Sequence, residues 1–298
     1  MMRRPSRSPF AVAALALGCA AEPEDRIPEA PEEPVERLAA PLVLGGFAAP
    51  EAALHDARAD VYLVANIDGD SRARDGNGYI SRVTPDGDVE ARWIDGSAEG
   101  VELDAPKGMA ASGDTLFVAD IDVVRLFGRE SGAPLGSWPI EGAEFLNDVA
   151  VGVDGALYVT DTTAGVVYRL GPDGPTAVSR DPALAGPNGI AALPDGRLLV
   201  VGFSGVGTHT IDPRTGALER QPGPTTAGSD GVALLEDGGY LIANWEAQAI
   251  LRFAPGATEA DTVVRSVESP AAIAWDATRR RVIVPLLRLD RVEVHAVP

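Results

Sequence analysis

The chain of 298 residues has one cysteine, one lysine and few aromatics. Cys19 has no partner for an internal disulfide, so no disulfide framework staples the fold. Lys107 stands alone among long cations that are otherwise all Arg. Phe, Trp and Tyr make up only 5% of residues, yet apolar residues reach 45%, enough for a substantial core. The apolar run Phe10 to Leu17 is too short to span a bilayer as a helix. After residue 40, no stretch keeps an amphipathic helical period for three turns, which disfavours helical repeats. Walker and dinucleotide-binding glycine motifs are absent. Gly202-Phe203-Ser204-Gly205 lacks the spacing of a nucleophile elbow. His55, His209 and His295 are too scattered to suggest a zinc triad.

Acids are plentiful instead. The formal charge is −19, with 25 Lys and Arg against 44 Asp and Glu. Arg3, Arg4 and Arg7 are the only charges in residues 1–18, so their removal leaves −22. Such a surface repels phosphate backbones, so no nucleic-acid partner is expected. A hard cation such as calcium suits it better.

The N-terminus has the layout of an export signal over residues 1–18: three arginines, then an apolar stretch, then small residues. Leu15-Ala16-Leu17-Gly18-Cys19 resembles a bacterial lipobox, with Ala16 where Leu is usual. That resemblance implies an exported lipoprotein carrying lipid on Cys19. With Ala20 next, it implies the outer membrane. Residues 19–37 are rich in Pro and Glu and read as an extended, disordered tether. The alternative is an ordinary secretory signal beside a chance cysteine.

Residues 38–298 carry an internal repeat. Val61–Asn66, Leu116–Asp120, Leu157–Asp161, Leu198–Val201, Tyr240–Asn244 and Val282–Val284 are versions of one apolar strand, spaced about 41 residues apart. Turn signals such as Pro85-Asp86-Gly87 and Pro194-Asp195-Gly196 separate the strands. A period near 41 with several short strands per unit predicts an all-β, six-bladed β-propeller of four-stranded antiparallel blades. The first interval is longer by about a dozen residues, which places a polar loop over Ile67 to Tyr79. The last repeat stops after a third strand at Val292 to Val297, so Leu42 to Phe47 is expected to supply its fourth strand and close the ring.

Each repeat begins with a short turn feeding its innermost strand. In a propeller these turns converge on one mouth of the channel. Glu51, Asn147, Asn188 and Asp230 would present oxygens there from four blades, a donor set suited to calcium or magnesium. The alternative is that Asn and Asp are simply good turn residues. Lys107 begins another repeat, either as a substrate-binding cation or as a solvated turn residue. Trp93, Trp138, Trp245 and Trp275 read as blade-packing residues, with Trp245 open to a place along the channel.

The ordered series resembles the SMP-30/gluconolactonase/LRE-like family of six-bladed propellers with a channel metal. Pro50-Glu51-Ala52-Ala53, Leu146-Asn147-Asp148, Pro187-Asn188-Gly189-Ile190-Ala191 and Ser229-Asp230-Gly231-Val232-Ala233 carry the likeness. It implies Glu51, Asn188 and Asp230 as metal ligands, Asp230 also as general base, and Asn147 as a substrate-binding residue. It implies a divalent cation, calcium first, with magnesium, manganese and zinc open, and a small ester or lactone as substrate. The sequence departs from the sugar-lactone enzymes at Phe145, where they have Arg, and at Thr162, Thr163 and Ala164, where they have acids. A non-catalytic, NHL-like scaffold that binds a protein or glycan at the cell envelope is the alternative function. The lipid expectation is tested by growing an expressing bacterium on labelled palmitate. Label should enter the wild-type chain and not Cys19→Ser; an unlabelled wild type would leave the ordinary secretory signal.

Overall fold

In the computed structural model, residues 1–2, 40–171 and 173–297 are described. Apart from Met1 and Met2, the expected signal, Cys19 and the tether lie outside the described residues. The chain enters with β1 (Leu42–Leu44). Blade 1 follows as β2 (Pro50–Asp56), β3 (Val61–Asn66), β4 (Tyr79–Val83) and β5 (Val89–Asp95). Blade 2 is β6 (Pro106–Ser112), β7 (Thr115–Asp120), β8 (Val123–Gly128) and β9 (Pro134–Pro139). Blade 3 is β10 (Leu146–Val151), β11 (Leu157–Asp161), β12 (Val166–Gly171) and β13 (Gly174–Ser179). Blade 4 is β14 (Pro187–Ala192), β15 (Leu198–Gly202), β16 (Thr208–Ile211) and β17 (Leu218–Arg220). Blade 5 is β18 (Ser229–Leu234), β19 (Tyr240–Asn244), β20 (Ala249–Phe253) and β21 (Asp261–Arg265). Blade 6 is β22 (Ala274–Asp276), β23 (Arg281–Leu286) and β24 (Arg291–Ala296), completed by β1.

All six sheets are four-stranded and antiparallel, giving the six-bladed propeller expected from the repeat. Closure is made by the N-terminal strand. Leu42, Val43 and Leu44 pair with Val294, Glu293 and Val292. This strand is shorter than the Leu42 to Phe47 anticipated, and Phe47 instead packs in the core between blades 6 and 1. A side-chain seam backs the same junction: Tyr62 donates to Asp276 at 2.7 Å, and Arg279 pairs with Asp60.

The buried apolar residues sort into seven clusters: six lie at the blade-to-blade interfaces, and a small seventh gathers Ile67, Ala105 and Ile121. Leu63 and Ile80 meet Met109 and Phe127 between blades 1 and 2, and Val64 meets Ile283 between blades 1 and 6. The second strand of each blade is covered on both faces, so β3 is buried along its whole length and reads as a continuous apolar run. Outer strands are wetter; all six residues of β9 are exposed, Trp138 among them. Trp138 still packs on its own blade, its ring 5.6 Å from that of Phe117, but on the outside rather than in the core.

Near the axis there is room for little but backbone. A Cβ on Gly189 of blade 4 would lie 2.5 Å from the Asp230 carbonyl oxygen of blade 5. One on Gly231 would lie 2.5 Å from the Ile273 nitrogen in the strand-entry segment of blade 6. Gly189→Ala should therefore cost about 1–3 kcal/mol by overpacking. Gly45, with nothing within 4 Å of its Cβ position, is the control. Thermal melts should show a lower midpoint for Gly189→Ala only; equal midpoints would refute the packing argument.

Candidate metal centre

A β-bulge opens the inner strand of each of blades 1 to 5. The register shifts between Pro50 and Ala52, Pro106 and Met109, Leu146 and Val149, Pro187 and Ile190, and Ser229 and Val232. Glu51, Lys107, Asn147, Asn188 and Asp230 all sit inside these bulges. The sequence reading put them in turns before the strands; they belong to the strands themselves. An extra residue on one side of a ladder re-aims the side chain there, and bulges commonly serve that purpose beside functional sites.

In blades 1, 2, 3 and 5 the segment leading into the bulge is held by the side chain of the last residue of the next strand; in blade 4 that residue is Gly202. Asp120 accepts the Asp104 and Ala105 N–H groups, and Asp161 accepts those of Glu144 and Phe145. Asn66 accepts from Ala48 N, and Asn244 donates to the Ala227 carbonyl. Blade 3 also fixes blade 4. Thr160 Oγ1 donates to the Asn188 carbonyl at 2.6 Å and accepts from Asp148 N, while Asp148 Oδ2 accepts from Ile190 N at 3.0 Å. Glu51 is tied to ring closure, its carbonyl accepting from Ala272 N of the blade 6 segment at 3.0 Å.

The side chains these bulges present are buried and unsatisfied. Glu51 Oε2, Asn147 Oδ1, Asn188 Oδ1 and Asp230 Oδ1 each lack a hydrogen-bond partner. None of the four residues exceeds 6% exposure. An orphaned buried acceptor costs about 1–3 kcal/mol, and more when charged, so four in one region call for an explanation.

Electrostatics tie the region together. Burial raises the Glu51 carboxyl well above its usual range; Asp230 and Asp148 raise it further, and Lys107 opposes them. Burial lifts Asp230 to about 8, with Asp148 adding to the rise. The Trp245 indole N–H lies close enough to oppose it, although neither that N–H nor Asp230 Oδ1 reaches hydrogen-bond geometry. Asp148 rises to about 7 through burial, held back by the N–H groups of Ile190 and Val149.

Two sequence expectations are refined here. Lys107 is wholly buried rather than solvated; its ammonium donates to the Ala105 and Ser71 carbonyls at 2.9 and 3.3 Å. Burial depresses its pKa, against the pull of Glu51 and Asp120. Trp245 takes the channel alternative, beside Asp230. Asp148, Thr160 and Arg72 were not singled out from the sequence. Only Asp148 left a signal there, as the second residue of the Asn-Asp motif.

The donor set fits a hard divalent cation by this test: two carboxylates and two amide oxygens, desolvated and without partners. Among the described residues, no three His, Cys, Asp or Glu side chains form a metal-binding group. The third acid nearby, Asp148, spends both its oxygens on backbone N–H groups, so any cation would rely on the amides. Clefts of about 520 and 630 Å³ open at the other end of the strands around Phe117 and Asp154 and around Asp195 and Arg214. They contain none of these orphaned oxygens.

Fold and site together define a six-bladed propeller with a buried oxygen cluster at the start of its inner strands. The chain belongs to the SMP-30/Gluconolactonase/LRE-like family, whose sequence profile matches residues 77–284. Asn147, Asn188 and Asp230 fall inside that match, and Glu51 precedes it. Among solved structures, a gluconolactonase from Xanthomonas campestris is similar, with a TM-score of 0.67, 18% identity, and coverage of 88% of this chain and 91% of that one. A luciferin-regenerating enzyme matches at TM-score 0.62 and 16% identity, over 86% and 96%. A streptogramin B lyase matches at TM-score 0.63 and 12% identity, also over 86% and 96%. At such identities these likenesses speak for the fold. No curated protein matches the chain.

The raised carboxyls have a consequence for the metal-free protein. Folded Asp148 and Asp230 keep protons up to about pH 7 and 8, whereas an unfolded Asp releases its proton near ~3.9. Between those limits the folded state binds more protons, so this contribution to stability is lost as pH rises through the window. In chelator, the melting midpoint of the wild type relative to Asp230→Asn should fall between pH 5 and 9, and calcium should restore it. A difference that stays constant with pH would refute the raised Asp230.

Proposed function

We propose that this chain is a metal-dependent hydrolase of lactone-like esters, with Glu51, Asn188 and Asp230 holding a divalent cation, calcium first. The observation that carries the reading is the set of buried, unpartnered oxygens on Glu51, Asn147, Asn188 and Asp230. When bound, the cation would polarise the ester carbonyl and favour ionisation of a water. The remaining work falls to the chain. Burial excludes bulk water from Glu51 and Asp230, which strengthens their interaction with any charge placed between them. Asn147 Oδ1 has no internal partner and is available to a substrate hydroxyl or to the attacking water. Asp230 would accept a proton as water adds to the carbonyl carbon. It would return that proton to the ester oxygen as the carbon–oxygen bond breaks. The product is a hydroxy acid.

A purely scaffolding, NHL-like propeller has no need of four desolvated oxygens without partners, since each burdens the fold. The test is calcium or manganese titration of residues 38–298 by calorimetry, followed by a lactone and ester screen. Micromolar binding should vanish in Asp230→Ala, and hydrolysis should stop in chelator. Absence of binding in both proteins, or hydrolysis indifferent to chelator, would sink the mechanism and return the scaffold reading.

A further inference from the structure

Around the oxygen cluster, each blade contributes one large side chain. Arg72 comes from the loop between β3 and β4, Lys107 from β6, and Phe145 from the segment entering β10. Phe203, Trp245 and Arg288 follow the second strands of blades 4, 5 and 6. They form two clusters. In one, the Arg72 guanidinium and the Lys107 ammonium lie over the Phe145 ring, 4.6 and 4.4 Å from its centre. In the other, Arg288 lies 4.9 Å over Trp245, whose ring meets Phe203 edge-on at 5.5 Å. The first cluster adjoins Glu51 through Lys107, and the second adjoins Asp230 through Trp245.

None of the three cations has an acidic partner within salt-bridge distance among the described residues, although acids outnumber cations in this chain. Neighbouring Arg74, Arg92 and Arg125 are all paired to acids. Arg72 uses two side-chain hydrogen bonds, to the Glu144 carbonyl and the Thr163 hydroxyl, out of five N–H donors. Of the nearby hydroxyls, Thr162 spends its O–H on the Pro187 carbonyl, and Thr163 accepts from Arg72. The buried Trp245 Nε1 remains without a partner.

We propose that this rim selects an anionic ester or lactone, a flat apolar body bearing a carboxylate, over a neutral sugar lactone. The parts of Phe145, Phe203 and Trp245 left exposed beside these cations take the apolar body, and the free N–H edges of Arg72 and Arg288 take the anion. The site rests on the hydrolase reading above, but the recognition is testable as binding alone.

The probe is 3-phenylpropane-1-sulfonate, an anion that coordinates calcium poorly, titrated into the full chain with calcium present. Its neutral counterpart is 3-phenylpropan-1-ol, and methanesulfonate lacks the ring. The aryl sulfonate should bind at least about tenfold tighter than either, as expected for charge-assisted hydrogen bonds plus aromatic burial. Arg72→Gln combined with Arg288→Gln should erase about tenfold of that affinity. Both arginines are exposed, so an unchanged melting midpoint serves as the folding control. Equal binding of sulfonate and alcohol, a double variant that binds as tightly as wild type, or no binding of either aryl probe would each overturn the proposal. Sulfonate binding without any detectable hydrolysis would keep this inference and remove the hydrolase reading.

Discussion

Six inner strands must converge on one axis, and there the backbones come so close that Cβ atoms are excluded at Gly108, Gly189 and Gly231. This constraint orders the rest of the molecule. Glycine beside a polar residue lets one blade's backbone lie against the next, and the bulge at the same place turns the polar side chain aside. The apolar residues are displaced outward into six interfaces between blades. The axis is thereby left to oxygens and amides. Closure completes the arrangement: β1 fills the outer edge of blade 6, while the segment entering β22 at its inner edge holds the Glu51 backbone. The first blade's ligand candidate is thus held by the last blade.

Much of the fold was legible in the sequence because the second strands are buried on both faces. Val61–Ala65 and Leu116–Ala119 had to be apolar, so they recur as recognisable motifs. Outer strands carry no such demand. β9 is exposed along its length, and its sequence, with Pro at both ends and Gly inside, reads more readily as loop than strand. The last polar residue of the repeated strand was visible as Asn66, Asp120, Asp161 and Asn244. Its work, fixing the segment that enters the same blade, emerges only from the hydrogen bonds.

The oxygen cluster was legible as an ordered series, but its character was not. Sequence spacing places Glu51, Asn147, Asn188 and Asp230 at equivalent points of the first, third, fourth and fifth repeats. It does not say whether their oxygens will be solvated, paired or orphaned. Lys107 shows the difference most clearly. As the only lysine, at the start of an inner strand, it read equally well as a surface turn residue; the fold buries it completely against two carbonyls and an aromatic ring. Asp148 was hidden for a related reason. Its role is to hold a neighbouring blade through Ile190 N, a contact forty-two residues away in sequence.

The departures at Phe145, Thr162 and Thr163 bear on how such a fold changes substrate. The oxygens of Glu51, Asn188 and Asp230 are set by inner-strand backbone, which cannot move without disturbing the next blade. The rim is set by loops, which can. Phe145 carries no charge, yet Arg72 reaches its ring from a loop two blades away. Positive charge beside Phe145 is thus supplied by a loop and lies over an aromatic ring. A fixed centre and a loop-built rim separate the question of whether the protein can bind a cation from the question of what it acts on. That separation is why membership of the family informs the first question far more than the second.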